Sequence, residues 1–165
     1  MERRGTALVT GVGRRRSIGA ELALGLASDG WDVLLNYWAP YDDRLDYERG
    51  ADDPHAIAAQ CRGLGVRAEA VPADLADPEA PSGLVAAARE LGDLRALVMS
   101  HCESVDSAIL DTTVESWDRH FAVNARASWL LIREFAATLA QEPTAEVRGR
   151  IVALTSDHTA HNLPY

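Results

Sequence analysis

The stretch from Thr6 to Gly30 constrains this chain more than any other. Ala7, Leu8 and Val9 form an apolar run that stops at Gly11, and from Ile18 apolar residues recur at four-residue spacing through Leu22 and Leu26. The pattern predicts a strand, a glycine turn and a helix. Gly11 and Gly13 allow a turn that side chains would obstruct, Ser17 is placed to cap the helix, and Gly19 lets its first turn approach the strand or a ligand. A helix start of this kind presents free N–H groups and a positive dipole end, which suit a pyrophosphate. The spacing Gly11-x-Gly13 followed by Gly19 is longer than G-x-G-x-x-G, so the loop also fits a tight turn with no ligand. Arg14, Arg15 and Arg16 form a dense basic run inside it, read as phosphate contacts with a solvated loop as the alternative.

The rest of the chain repeats the alternation. Trp31 to Tyr37 reads as a second strand, and its link to the first as a right-handed crossover between parallel strands. Residues 38–53 mix acids, arginines, Pro40 and aromatics without periodicity. Such an excursion lies either near the adenosine end of a dinucleotide or on a solvated surface. Asp53-Pro54 opens a helix to about Leu64, Val66 to Val71 is a third strand, and Asp77-Pro78-Glu79 starts a helix that runs to Leu91-Gly92. Leu94 to Ser100 is nearly continuous in apolar character, as a buried parallel strand should be. A polar stretch to about Ser116 precedes a helical region that contains Asn124 and a core stripe of Leu131, Phe135 and Leu139. After a loop over residues 142–149, Arg150 to Thr155 is a fifth strand. Strands alternating with helices imply an α/β doubly wound parallel sheet, a Rossmann fold, in one dinucleotide-binding domain over residues 1–165.

Composition narrows the function. With 165 residues, 47% hydrophobic and 25% charged, the chain can bury a core of its own. A net charge of −9 argues against nucleic acid or an anionic membrane surface as partner. The start of the chain has no apolar segment of signal-peptide character, and Cys61 and Cys102 are read as free thiols of a reducing compartment, so a cytoplasmic location is expected. His55, His101, His120, His158 and His161 show no metal-ligand spacing, and no metal is expected.

Taken in order, these residues resemble the short-chain dehydrogenase/reductase family. Thr10-Gly11 through Ser17-Ile18-Gly19 is similar to the family's TGxxxGIG loop with two extra residues, a spacing also met in its divergent enoyl-reductase branch. Asp74-Leu75 resembles the pair that contacts adenine, Asn124 the helix asparagine, Ser156 the serine after the fifth strand, and Tyr165 the start of YxxxK. The resemblance implies hydride transfer between a nicotinamide cofactor and a carbonyl or alcohol carbon of a small molecule, as in ketoreductases such as the 3-oxoacyl-carrier-protein reductases. Tyr165 would be the general acid/base, Ser156 would bind the substrate oxygen with Thr155 as a competitor for that role, and Asn124 would order a proton relay. Asp74 and Asn124 also have plainer uses, a turn cap and a backbone hydrogen bond.

Cofactor contacts are expected from Gly11, Gly13, Arg14, Arg16, Ser17, Ile18, Gly19, Tyr37, Asp74, Leu75, Ser100 and His101. Tyr37 stands where an acid would bind a ribose 2′-hydroxyl, and with arginines nearby this predicts NADP(H) over NAD(H), unless Asp42 or Asp43 folds back. Three departures from the family pattern stand out. Met99-Ser100-His101-Cys102 replaces NNAG, Ser156 and Tyr165 are only nine positions apart, and the motif's lysine is missing after Tyr165. The chain is therefore expected to be the N-terminal part of a longer polypeptide with an incomplete sheet, forming a homodimer or homotetramer when full length. The rival is a non-catalytic protein that senses dinucleotides on the same fold. A serine hydrolase is excluded by the lack of a Gly-x-Ser-x-Gly elbow.

Overall fold

The computed structural model describes residues 3–48, 50–140 and 148–156. Tyr165, His158 and His161 lie outside the described residues. Among the described residues, five parallel strands form one sheet in the order β3-β2-β1-β4-β5: β1 (Thr6–Thr10), β2 (Asp32–Tyr37), β3 (Ala68–Pro72), β4 (Leu94–Met99) and β5 (Arg150–Ala153). All five residues of β1 are buried, as expected of a strand with neighbours on both edges and helices on both faces.

Side-chain alternation sends successive residues to opposite faces. Leu8, Leu34 and Leu97 meet α4 (Ala80–Leu91) through Leu84, Val85 and Ala88, and α6 (Ala127–Ala140) through Ala127, Leu131 and Phe135. On the other face Val9, Val33, Leu35 and Val98 meet α1 (Ile18–Ser28) through Ala20, Ala23 and Ala27, and α3 (Asp53–Gly63) through Ile57, Ala58 and Cys61. The alanines of α1 hold that helix close to the sheet, and Phe135, 1% exposed, fills the opposite layer. Burying each such large apolar side chain contributes about 1.5–3 kcal/mol.

Two local structures differ from the sequence expectation. The aperiodic segment 38–53 contains a short helix, α2 (Ala39–Arg44), whose start is signalled by Pro40 in its first turn. The region before α6 is α5 (Val114–His120) followed by a π-helical segment, Phe121–Arg126, that widens the helix just where Asn124 lies. Thr113 caps α5 by accepting from the Ser116 N–H, so that helix begins slightly before the expected position. Along β5, Ile151 and Val152 are 44% and 50% exposed, which leaves an apolar strand with little cover.

From β1 the chain winds outward through β2 to β3, then returns to β4 on the other side. The reversal lies between β1 and β4. Open α/β sheets bind ligands in the crevice beyond the carboxyl ends of strands at such a point.

Candidate cofactor and active site

The crevice is built from the turn that follows β1. Gly11 has φ +77°, in the region that L side chains avoid, and a Cβ there would lie 2.6 Å from the Ser100 carbonyl oxygen at the exit of β4. A Cβ on Gly19 would lie 2.6 Å from the Gly11 carbonyl oxygen, so the helix start needs glycine for its approach to the turn. Ser17 caps α1 as expected, its hydroxyl accepting from the Ala20 N–H at 3.2 Å and donating to the Arg14 carbonyl at 2.8 Å.

Two connected depressions follow from this geometry. The first is lined by Gly11, Gly13, Arg14, Asp74, Leu75, Ser100 and His101 among the expected cofactor residues, joined by Asn36, Trp38, Tyr41, Asp42, Glu103 and Arg119. The second surrounds the α1 N-terminus and adds Arg16, Ser17, Ile18 and Gly19. Thus the fold gathers the predicted glycine loop, the pair after β3 and the residues after β4 into one place. Tyr37 is the exception. Its ring turns to α3, edge-on to His55 with the hydroxyl 3.4 Å from His55 Nε2, while Asn36 and Trp38 line the cleft.

Asn36 was not singled out in the sequence, although a polar residue inside an apolar strand is a visible signal. Only 2% exposed, it donates from Nδ2 to the Ala73 carbonyl at 3.1 Å, and its own carbonyl accepts from the Val12 N–H at 2.8 Å. It thereby ties the ends of β2 and β3 to the glycine loop.

The residues in place of NNAG form a relay of hydrogen bonds. The Ser100 N–H donates to Thr10 Oγ1 at 3.3 Å, and Thr10 Oγ1 lies 2.7 Å from His101 Nδ1. His101 Nε2 lies 3.2 Å from the Val123 carbonyl and 3.3 Å from Ser128 Oγ. A carbonyl accepts only, which assigns the proton to Nε2 and makes Thr10 the donor to Nδ1. Burial of the ring pushes the His101 pKa down to about 4, with the Val123 hydrogen bond opposing weakly, so the imidazole is neutral at pH 7. His101 is a structural tie between β1, β4 and the π-helical segment.

Asn124 holds the same loop. Its Oδ1 accepts from the Glu103 N–H at 2.8 Å and its Nδ2 donates to the Glu103 carbonyl at 2.8 Å. Glu103, 3% exposed, accepts two hydrogen bonds from Arg44 Nη2 at 2.8 and 2.9 Å and one from Arg119 Nε at 3.0 Å. Arg119 also reaches both Asp74 oxygens, at 3.2 and 3.3 Å. Asp74 meanwhile accepts from the Ala76 N–H at 2.9 Å, the turn-capping use noted as its plainer reading. Ser156 follows β5, whose Ala153 pairs with Met99, and leaves the sheet at the same end as the cleft.

The fold and this cleft define a doubly wound α/β domain of the Rossmann type. Comparison with known proteins gives the family: the short chain dehydrogenase family model matches residues 5–165, and the chain belongs to that family. Versicolorin reductase 1 of Aspergillus parasiticus is 35% identical over 156 residues, which cover 93% of this chain and 52% of that protein. A short-chain dehydrogenase/reductase from Serratia marcescens superposes with a TM-score of 0.78 at 26% identity, covering 99% of this chain and 59% of that one. A blue fluorescent protein from a metagenomic library, solved in complex with NADPH, superposes with a TM-score of 0.75 at 27% identity, covering 92% of this chain and 55% of that one. The chain spans about half the length of the curated relatives it matches.

Proposed function

We propose that this chain is the cofactor-binding part of an oxidoreductase that transfers a hydride between NADP(H) and a carbonyl or alcohol carbon, in the manner of short-chain ketoreductases. The observation that carries this reading is the close approach of Gly19 to Gly11, and of Gly11 to Ser100, at the switch point: a Cβ on either glycine would lie 2.6 Å from a backbone carbonyl oxygen, so only glycine lets the turn and the start of α1 form a cradle there. The cradle and the donors around it fit a dinucleotide. Free N–H groups at the start of α1 would hold its phosphates, Leu75 and Asp74 would border the adenine, and Arg14 and Arg16 stand at the rim. The nicotinamide, when bound, supplies the hydride. Ser156 would donate a hydrogen bond to the substrate oxygen, and Tyr165 would give up or take the proton there. A free tyrosine titrates near 10, so this role needs positive charge beside it.

Selectivity for NADP(H) is supported by Arg14 at the cleft and by a β2 that ends at Tyr37, with Trp38 next in the chain and no carboxylate at either position. Asp42, however, does fold back onto Arg14. Calorimetry compares the two cofactors directly; tighter binding of NADH overturns the NADP(H) assignment.

A homodimer or homotetramer of the full-length protein is supported by exposed aromatic surface, with Trp117, Phe121 and Trp129 at 55%, 53% and 58% exposure. A cytoplasmic site of action rests on the free thiols of Cys61 and Cys102. Among the described residues no helix is long and apolar enough to cross a membrane.

The test is NADPH oxidation by the full-length protein with a panel of ketones. Tyr165→Phe is expected to abolish turnover while leaving the NADPH Kd unchanged, and Ser156→Ala to behave similarly. Turnover of Tyr165→Phe within a few-fold of the parent moves the acid elsewhere.

A further inference from the structure

The segment after β2 lies across the cleft that the dinucleotide needs. Tyr41 reaches the loop beyond β4, its hydroxyl accepting from the Ser104 N–H at 3.3 Å and lying 3.5 Å from the Ser104 carbonyl. Arg44 is fastened to the same loop by its two hydrogen bonds to Glu103. Between these anchors Asp42, 5% exposed, turns inward, with Oδ1 3.2 Å from Arg14 Nε. Its other oxygen sits where a Cβ on Gly13 would be. Arg14 is held from the far side by the Tyr47 ring, 4.1 Å from the guanidinium carbon to the centroid, and the Tyr47 N–H donates to the Asp42 carbonyl at 3.1 Å. A second acid repeats the arrangement outside the cleft. Asp53, at the start of α3, pairs with Arg15 Nε at 3.0 Å and accepts from the Arg15 N–H at 3.2 Å.

The glycine turn thus already holds an anion, and it is a carboxylate of the chain itself. The depression beside Asp42 has a volume of about 140 Å³, below the roughly 300–1,000 Å³ of a pocket that encloses an organic ligand, whereas the connected one at the α1 N-terminus has about 820 Å³. Two anions cannot share Arg14 and the Gly13 backbone at contact distance without strong repulsion.

We propose that Asp42 is a built-in competitor for the cofactor's phosphate: the strap from Trp38 to Tyr47 occupies the adenosine half of the cleft, and the dinucleotide binds by displacing Asp42 from Arg14 and Gly13. This rests on the reading of the chain as an NAD(P)-dependent oxidoreductase. A phosphate monoester brings more charge and more acceptor oxygens to Arg14 than the carboxylate it replaces, whereas a ribose hydroxyl brings no charge. Asp42 therefore raises the affinity threshold for every dinucleotide and is displaced with better compensation by NADP(H) than by NAD(H).

The experiment uses the full-length protein and two variants. Asp42→Asn keeps the shape and removes the charge. Arg44→Ala unlatches the strap from outside the cleft and guards against a folding defect of the first. In calorimetry both are expected to bind NADPH more tightly than the parent, Asp42→Asn by about tenfold, the value of one charge-assisted hydrogen bond. Hydrogen exchange of the amides of residues 39–47 in the parent should speed up on saturation with NADPH. Weaker or equal NADPH binding by both variants overturns the proposal, and so does slower or unchanged exchange, which would mean that the strap closes on the cofactor. Failure of parent and variants alike to bind either dinucleotide removes the functional reading itself and the proposal with it. Equal binding by all three removes the proposal alone.

Discussion

His101 makes stability fall with acid in a way that can be separated from the rest of the molecule. Its ring lies between Thr10, Val123 and Ser128, and burial holds its pKa at about 4, whereas the unfolded chain has an ordinary histidine near 6.5. The folded-state pKa is depressed for a base, so the unfolded state binds the proton first. The stability contributed by the neutral ring is complete above pH 6.5 and is lost progressively between pH 6.5 and 4. At pH 5 the unfolded imidazole is almost fully protonated and the native one almost fully neutral. An interval of about 1.5 pH units at about 1.36 kcal/mol each comes to about 2 kcal/mol. Carboxylates titrate over part of the same range, so the comparison needs a variant with a similar shape and no titration. His101→Gln can still donate to the Val123 carbonyl. Urea unfolding of the full-length protein at pH 7 and pH 5 should show the parent losing about 2 kcal/mol more than His101→Gln. Equal losses in parent and variant refute the argument and place a charged or solvated ring in the folded state.

Four further substitutions have expected outcomes in urea unfolding. Gly11→Ala combines a positive φ with overlap against the Ser100 carbonyl and should cost more than about 2 kcal/mol, whereas Gly25→Ala, exposed inside α1 with nothing within 4 Å of the new methyl, should stabilise by about 0.5–1 kcal/mol. Asn124→Ala strips both partners from the Glu103 backbone and should cost about 1–3 kcal/mol, with faster hydrogen exchange at the Glu103 amide; no change in that exchange separates Asn124 from the loop. Burial would raise the Asp32 pKa, but hydrogen bonds from Arg67 hold it below 3.8, so Asp32→Asn should cost about 1.5–3 kcal/mol at pH 7, and the gap from the parent should close as pH falls through that lowered value.

How much of this was legible in the sequence depends on the range of the interaction. The strands are local runs such as Leu94 to Met99 and were readable, as was the Ser17 cap, whose partner is three residues away. Pro40 signalled α2, but an acid-rich segment without apolar periodicity hid it. The Arg44–Glu103 and Arg119–Asp74 pairs join residues 59 and 45 positions apart, and no local pattern marks a carboxylate that will be buried by such a partner. Asn124 was found through its motif, yet its work on the Glu103 backbone follows from a π-helical turn that leaves no mark in hydrophobic spacing.

The electrostatics of the cleft follow from the same distinction between net and local charge. A chain with net charge −9 is a poor general surface for a polyanion, but solvent ions screen exposed charges beyond about 8 Å at physiological ionic strength, so the field at the glycine turn is set by its near neighbours. Those neighbours are the α1 N-terminus and Arg14, Arg15 and Arg16 on one side, and Asp42 and Asp53 on the other. With Asp42 on Arg14 and Asp53 on Arg15, two of the three arginine charges are matched within contact distance. The unmatched positive charge of the loop is then Arg16 and the α1 N-terminus, while the Arg14 guanidinium is neutralised by Asp42 where it borders the cleft. Moving the Asp42 carboxylate a few ångströms into solvent would free the Arg14 charge at the glycine turn, with Asp53 still on Arg15. Tyr41 and Arg44 anchor the strap on either side of Asp42, whereas β1, β4 and the glycine loop are held by strand pairing and by Thr10 and Asn36, so displacement of the one carboxylate need not disturb them.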